Sequence, residues 1–329
     1  MRRFLYVPLL MMPLFLVGHY SGEPRRPMLG ADRRVEIRPV SLDESNLMRD
    51  RIGPLRFIGG WELRSPERAF GGFSGMIAEG DRLTLLNDAG GVVKLRLGEN
   101  GRVSDVSFHD LPAGPDHGWA RDERDSESMT WDPQSGRIWV GFESFNEIWR
   151  YSPDLGRGEA QAAPEPMALW RRSSGPETML RLRSGEFLIL PESGRGQGVV
   201  AQALLYAGDP TDPATPYVRF VYKPPKGYRP TDAAQLDDGR VLVLNRRFTL
   251  REWFTAKLSV IDTQDIREGR NLRGKEIAAF ASPVIRDNFE ALAITHENGR
   301  QILWMASDDN FRSPFQRNLM LKFAVEGEF

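Results

Sequence analysis

Beyond Leu55 the chain is a succession of short apolar runs punctuated by Gly, Asp, Asn and Pro. No apolar stripe of helical period lasts more than about two turns, so the pattern predicts strands and turns rather than helices. Five stretches are variants of one another. Each opens on a polar residue that leads a short strand: Ser74-Gly75-Met76, Glu127-Ser128-Met129, Glu177-Thr178-Met179, Asp232-Ala233-Ala234 and Glu290-Ala291-Leu292. A turn and a second apolar strand follow, as LTLLNDAG, RIWVGFES, EFLILPES, RVLVLNRRF and QILWMASDDNF, each running into a polar cluster. The openings at 74, 127, 177, 232 and 290 lie 53, 50, 55 and 58 residues apart, a spacing that marks a repeat architecture.

Each repeat has room for four strands. In the second they are predicted at 128–131, 137–142, 147–151 and 167–170, and in the fourth at 233–236, 240–245, 256–262 and 276–281. Four antiparallel strands in radially repeated units is an all-β, β-propeller fold. The fifth repeat runs out after its third strand, at 318–325, while an unassigned strand at 55–63 precedes the first repeat. Placed as the outer strand of the last blade, it closes a five-bladed ring and covers a sheet edge. A sixth, irregular blade built from residues 31–64 is the alternative. The aromatic residues within strands, Trp131, Trp139, Phe142, Trp149, Phe187, Phe248 and Trp304, are expected to pack blade against blade.

The N-terminus has a different texture. Met1-Arg2-Arg3 is basic and residues 4–18 are almost unbroken apolar sequence, about the length of a signal h-region and short for a membrane span. Residues 1–22 are therefore read as a signal peptide, with an N-terminal anchor as the alternative, residues 23–54 as linker and lead-in, and 55–329 as the propeller domain. A periplasmic or secreted protein is expected, touching a membrane only through an uncleaved N-terminal segment.

Composition narrows the chemistry. With 44 basic against 45 acidic side chains the net charge is −1, which gives a nucleic-acid partner no basic face. The absence of cysteine excludes disulfides, thiolate metal sites and cysteine nucleophiles. Four scattered histidines, His19, His109, His117 and His296, do not suggest a histidine metal centre, and the last three are read as solvated loop residues. There is no G-x-S-x-G elbow or phosphate-binding P-loop, and the GRGQG run at 194–198 reads as a loop.

Propeller geometry brings the acids together. The first strand of each blade lines the channel, so Ser74, Glu127, Glu177, Asp232 and Glu290 are expected to form a ring at one mouth. The second strand is antiparallel to the first, which puts Asp88, Glu143, Glu192 and Asp308 on the same face. Acids so gathered repel unless a cation sits among them. Ca²⁺, with six to eight oxygen ligands, suits such a set. The structural alternative is that these acids cap turns or bond the next blade's backbone. Arg246, Arg247 and Arg317, with Arg195 and Arg312 nearby, are candidates to hold an anionic substrate, Arg247 and Arg317 foremost. Pairing with the same acids is the competing reading.

The repeat segments resemble the phytase-like family described as esterase-like activity of phytase. The matching residues are Ser74-Gly75-Met76 with Asn87-Asp88-Ala89-Gly90, Asp125 to Met129, Pro176 to Met179 with Pro191-Glu192, Pro230 to Ala233 with Asn245 to Phe248, and Asn288 to Leu292 with Ser307 to Phe311 and Gln316-Arg317. Two positions depart from the family pattern: the first repeat has no acid at Ser74, and Asn87-Asp88 stands where Ser-Asp is usual. The resemblance implies a Ca²⁺-dependent propeller that hydrolyses phosphate esters or related esters. In that reading Glu127, Glu177, Asp232 and Glu290 serve both as metal ligands and as catalytic groups, and the arginines hold the substrate anion. A non-catalytic envelope propeller that binds a ligand or protein, and a lactonase-like hydrolase with an axial metal, are the alternatives.

Overall fold

In the computed structural model the described residues are 28–98, 101–116, 121–171, 174–192, 202–311, 316–327 and 329. The signal or anchor segment, His19, His117, Arg195, Arg312 and the GRGQG run lie outside them.

The repeats fold into five antiparallel sheets arranged as blades. Blade 1 holds Phe73–Glu79, Arg82–Asn87, Gly91–Leu97 and Val103–Asp110. Blade 2 holds Ser126–Trp131, Ile138–Phe142, Glu147–Tyr151 and Gly158–Ala162. Blade 3 is Thr178–Arg181, Phe187–Leu190, Ala203–Tyr206 and Tyr217–Lys223, with Asn271–Arg273 added in parallel at its outer edge. Blade 4 is Arg229–Gln235, Val241–Thr249, Trp253–Ile261 and Lys275–Phe280.

Blade 5 is assembled from both ends of the chain. Phe289–Glu297, Arg300–Ser307 and Asn318–Val325 are followed in space by Leu55–Arg64, and then by Glu36–Pro39 as a fifth strand. The closing strand is the one expected at 55–63, paired from Asn318↔Leu63 to Val325↔Leu55. Residues 31–64 build no sixth blade, because Glu36–Pro39 and Arg51–Ile52 both pair with Leu55–Arg64. Stretches before residue 55 thus pack on the ring: Leu42 is buried in its core.

One strand differs from expectation. The outer strand of blade 2 is Gly158–Ala162, and 165–169 forms a 3₁₀ turn. Pro164 caps the start of that turn and Pro166 is its second residue; proline fixes φ and removes a ladder donor, which favours the turn over a strand in the apolar MALW sequence.

The core is divided by the blades. Five apolar clusters lie one at each junction between neighbours; Trp139 and Ile148 of blade 2 meet Phe187 and Ile189 of blade 3, and Met76 and Leu85 of blade 1 meet Trp304 and Met320 of blade 5. Successive side chains on a strand point to opposite faces, so Leu85 and Leu86 feed different junctions. Both faces of each second strand are therefore buried, and these strands read as continuous apolar runs. The inner strands contact one another in a closed cycle.

Candidate functional site

A bulge sits near the start of four inner strands. The register skips one residue between Phe73 and Gly75, Ser126 and Ser128, Pro230 and Asp232, and Phe289 and Ala291. The extra residues are Ser74, Glu127, Thr231 and Glu290, and a bulge re-aims its side chain out of the ladder. In blade 3 Glu177 directly precedes Thr178, the residue paired with Leu190. The structural ring is thus Ser74, Glu127, Glu177, Thr231 and Glu290, which corrects blade 4 by one residue.

That shift turns Asp232 away from the other acids, as a one-residue slip must. Asp232 occupies the register of Ser128, and both reach the next blade. The Ser128 hydroxyl donates to the Pro176 carbonyl at 2.5 Å, and the Leu292 N–H donates to Asp232 Oδ2 at 2.6 Å. Asp232 Oδ1 accepts from the Ala233 N–H at 2.8 Å. Burial raises its pKa well above the ordinary range, these two N–H groups oppose the rise, and no other carboxylate contributes. The geometry gives Asp232 a part in joining blades and places it outside the acid cluster. The hydroxyls of Ser74 and Thr231 also join blades, donating to the carbonyls of Ser126 (2.6 Å) and Phe289 (3.3 Å).

The remaining acids form an arc across one mouth. At one end Asp125, Glu127 and Glu143 present carboxylate oxygens within 4.8 Å of one another. Burial raises the pKa of Glu127 well above the usual carboxylate range, helped by Glu177, Asp125, Glu143 and Glu290. Glu143 is pushed up to about 8 by burial and by Asp125. Glu177 is buried in the middle of the arc, where burial, Glu192 and Glu143 raise its pKa while Arg246 opposes them. At the far end Glu290 adjoins Asp308, whose pKa is raised by burial, Glu290 and Asp88. Among the described residues no arginine or lysine forms an ion pair with Asp125, Glu127 or Glu143. All three offer only oxygen, the donor set of a hard divalent cation. Their clustering, with the raised pKa values of Glu127 and Glu143, is what a site awaiting positive charge requires, so the residues fit such an ion.

The three arginines have separate fates. Arg246 enters the arc: its Nη1 lies 2.8 Å from Glu290 Oε1 and donates to Asn288 Oδ1 at 2.8 Å, and its Nη2 reaches Glu192 Oε1 at 3.4 Å. Burial alone would favour a neutral guanidinium, but Glu290, Glu177, Glu192 and Asp308 outweigh it and hold the charge. Glu192 also accepts from Arg229 at 2.7 Å. Arg247, on the opposite face of the same strand, pairs with Glu252 at 2.5 Å and lies over the Tyr228 ring. Arg317 pairs with Asp287 at 3.3 Å. Only Arg246 of the three is paired to the carboxylates of the arc.

Asp125 and Asn288 are the residues that reading the repeats overlooked. Asp125 stands two residues before Glu127, the spacing that puts side chains on one side of an extended chain, and Asn288 stands two before Glu290. The Asn288 amide spans the two ends of its neighbourhood, accepting from Arg246 and donating to Asp308 Oδ2 at 3.1 Å. Asp309, next to Asp308, is structural: it accepts from the N–H of Gly72 and Phe311 and from the Asn318 amide. Gly72, at φ +66°, approaches so closely that a Cβ would sit 2.7 Å from the Phe311 ring.

The family model for Phytase-like, described as esterase-like activity of phytase, matches residues 68–311. The chain belongs to this family. The matched span contains every inner strand and every acid of the arc. No curated protein matches this phytase-like chain. Among solved structures, it is similar to the major allergen Mala s 1 of Malassezia sympodialis, at 13% identity over 84% of this chain and 91% of that one, with TM-score 0.46. Glutaminyl cyclase of Myxococcus xanthus matches at 9% identity over 78% and 92%, with TM-score 0.43. These likenesses are too distant to carry an activity across. Among the described residues, no helix is long and apolar enough to cross a membrane.

Proposed function

We propose that this phytase-like propeller is a metal-assisted hydrolase of phosphate esters or related esters, with Ca²⁺ as the ion. The observation that carries the reading is the Asp125, Glu127 and Glu143 cluster, three carboxylates within 4.8 Å at one end of an arc into which Arg246 reaches at Glu290 and Glu192. Asp125, Glu127 and Glu143 would hold the ion, with Glu177 next to them. Such an ion, when bound, supplies a Lewis acid for an ester oxygen and acidifies water. Arg246, kept charged by its neighbours and fixed by Asn288, presents N–H donors to an anionic ester. Its pairs with Glu290 and Glu192 set the angle of the guanidinium plane, and geometric fixation is what makes such a donor effective. Glu177 and Glu290, buried with raised pKa values, are placed to hold or accept a proton at the ester. No protein nucleophile is needed.

Residues 1–22 belong to this proposal as an export signal or anchor, which places the enzyme in the periplasm or outside the cell. The test is calorimetric titration of chelator-treated protein with Ca²⁺, followed by a panel of phosphate and carboxylic esters. Glu127→Gln is expected to weaken Ca²⁺ binding at least about tenfold with the circular dichroism spectrum retained. Unchanged Ca²⁺ affinity in that variant removes the ligand assignment; a blank panel with ion present removes the hydrolase and leaves a binding propeller.

A further inference from the structure

Blade 4 differs from the others on the site face. The second strands of blades 1, 2, 3 and 5 stop at Asn87, Phe142, Leu190 and Ser307. In blade 4 the position equivalent to Asn87 and Ser307 is Asn245, since each pairs with the residue just before the bulge. The strand nonetheless continues to Thr249, with Arg246↔Ala256, Arg247↔Thr255, Phe248↔Phe254 and Thr249↔Trp253 still paired to the returning strand. The result is a hairpin arm that stands beyond the mouth of the channel.

The arm is apolar where it should be wet. Phe248 and Trp253 are each 51% exposed and Leu250 is 92% exposed. The sequence pattern places Phe248 between blades, whereas it stands outside them. The aromatic rings connect back to the site without a break. The Arg246 guanidinium lies 5.9 Å from the centroid of Phe254, Phe254 lies 4.9 Å from Phe248, and Trp253 meets Phe248 edge-on at 6.3 Å. Arg246 and Phe248 are two apart on one strand and share a face, so the guanidinium end of the site continues outward as an aromatic surface.

Trp253 adds an independent observation. Its φ is +58°, in the left-handed region that glycine and asparagine enter freely and a bulky side chain does not. The left-handed residue closes the three-residue hairpin loop between Thr249 and Trp253, and the ring it carries is half exposed. Simple alternation would put Trp253, paired with Thr249, on the face away from Phe248; from its left-handed backbone the ring meets Phe248 instead.

We propose that Phe248 and Trp253 form a subsite for the apolar part of the substrate, so that the ester taken carries an aryl or alkyl group. This rests on the hydrolase reading above and specifies its substrate class. Charge points the same way. Even with Ca²⁺ held at Asp125, Glu127 and Glu143, the arc sets Glu177, Glu192, Glu290 and Asp308 around Arg246, a surplus of carboxylate that a densely phosphorylated polyol would meet with its own negative charge. A single anionic or polarised ester group next to Arg246, with its apolar remainder over the arm, avoids that conflict. Flat aromatic surfaces favour such groups by apolar burial and ring contact.

The experiment uses two compounds that cannot be hydrolysed, (2-naphthylmethyl)phosphonate and methylphosphonate, titrated into the full chain with Ca²⁺ present. The tetrahedral phosphonate stands for a phosphate group or for the tetrahedral transition state of a carboxylic ester. The naphthyl compound is expected to bind at least about tenfold more tightly, and Phe248→Ala to bring the two affinities within about threefold. Trp253→Gly, which suits the left-handed backbone and so keeps the hairpin, is expected to do the same while Ca²⁺ affinity stays unmoved. Equal affinities in the unaltered protein, a ratio that survives both substitutions, tighter binding of inositol hexakisphosphate, or arm variants that only dissolve a dimer of the chain would each overturn the subsite. If Ca²⁺ does not bind or no ester is turned over, yet naphthyl preference still depends on Phe248, the subsite stands and the hydrolase reading falls.

Discussion

Asp232 and Asp287 show how two buried carboxylates near one mouth come to different ends. Asp232 accepts the Leu292 N–H from the next blade, so Asp232→Ala leaves that buried donor unsatisfied. The expected cost is about 1–3 kcal/mol in urea unfolding with Ca²⁺ affinity unchanged; a loss of Ca²⁺ binding would return Asp232 to the ring. Asp287 is pushed up to about 6 by burial, against the Asn288 N–H and Arg317, from an ordinary value of 3.8. Its folded pKa is raised, so its contribution is fully present below about pH 4 and is lost as pH rises through about 6. Asp287→Asn is neutral throughout, and the stability of the unaltered protein relative to it should fall by roughly 2 kcal/mol between pH 4 and 7. A flat difference across that window would contradict the burial assignment.

The strands themselves were legible at the scale of the element. Short continuous apolar runs and the 50- to 58-residue spacing announced the blades, because both faces of each second strand must be apolar to fill two junctions. The outer strand of blade 2 was hidden: GEAQA carries no apolar signal, since an outer strand buries little, while MALW carries one without forming a strand. The register of blade 4 was hidden for another reason. Sequence alignment matched acid to acid, whereas the backbone aligns bulge to bulge, and Thr231 rather than Asp232 is the bulged residue. Asp125 escaped because it precedes the repeat as defined by its second member. At this scale the closing strand gives the clearest test. Trp61 is buried and stacks on Trp304 at 6.4 Å across two strands of blade 5. Trp61→Ala should cost about 3–5 kcal/mol by chemical denaturation, with one cooperative transition retained. A cost below about 1 kcal/mol would mean that the N-terminal strand is not held as described.

For the whole molecule, the acid arc opposes folding until something neutralises it. Ca²⁺ at a hundred times its Kd is expected to stabilise the ring by about 2.7 kcal/mol, seen as a higher melting temperature by calorimetry. Glu143→Gln separates repulsion from ligation: removing one mutually repelling carboxylate should raise the melting temperature in chelator, and the rise on adding Ca²⁺ should shrink. A lower melting temperature in chelator would show that Glu143 serves structure instead. The ring also has a seam. Leu55–Arg64 is held between Asn318–Val325 and Glu36–Pro39, so this strand leaves the ribosome before blades 1 to 4 and finds its inner neighbour only when residues 318–325 follow. While blades 1 to 4 are made that strand has an open edge and the circle is unfinished, and closure waits until residues 318–325 arrive.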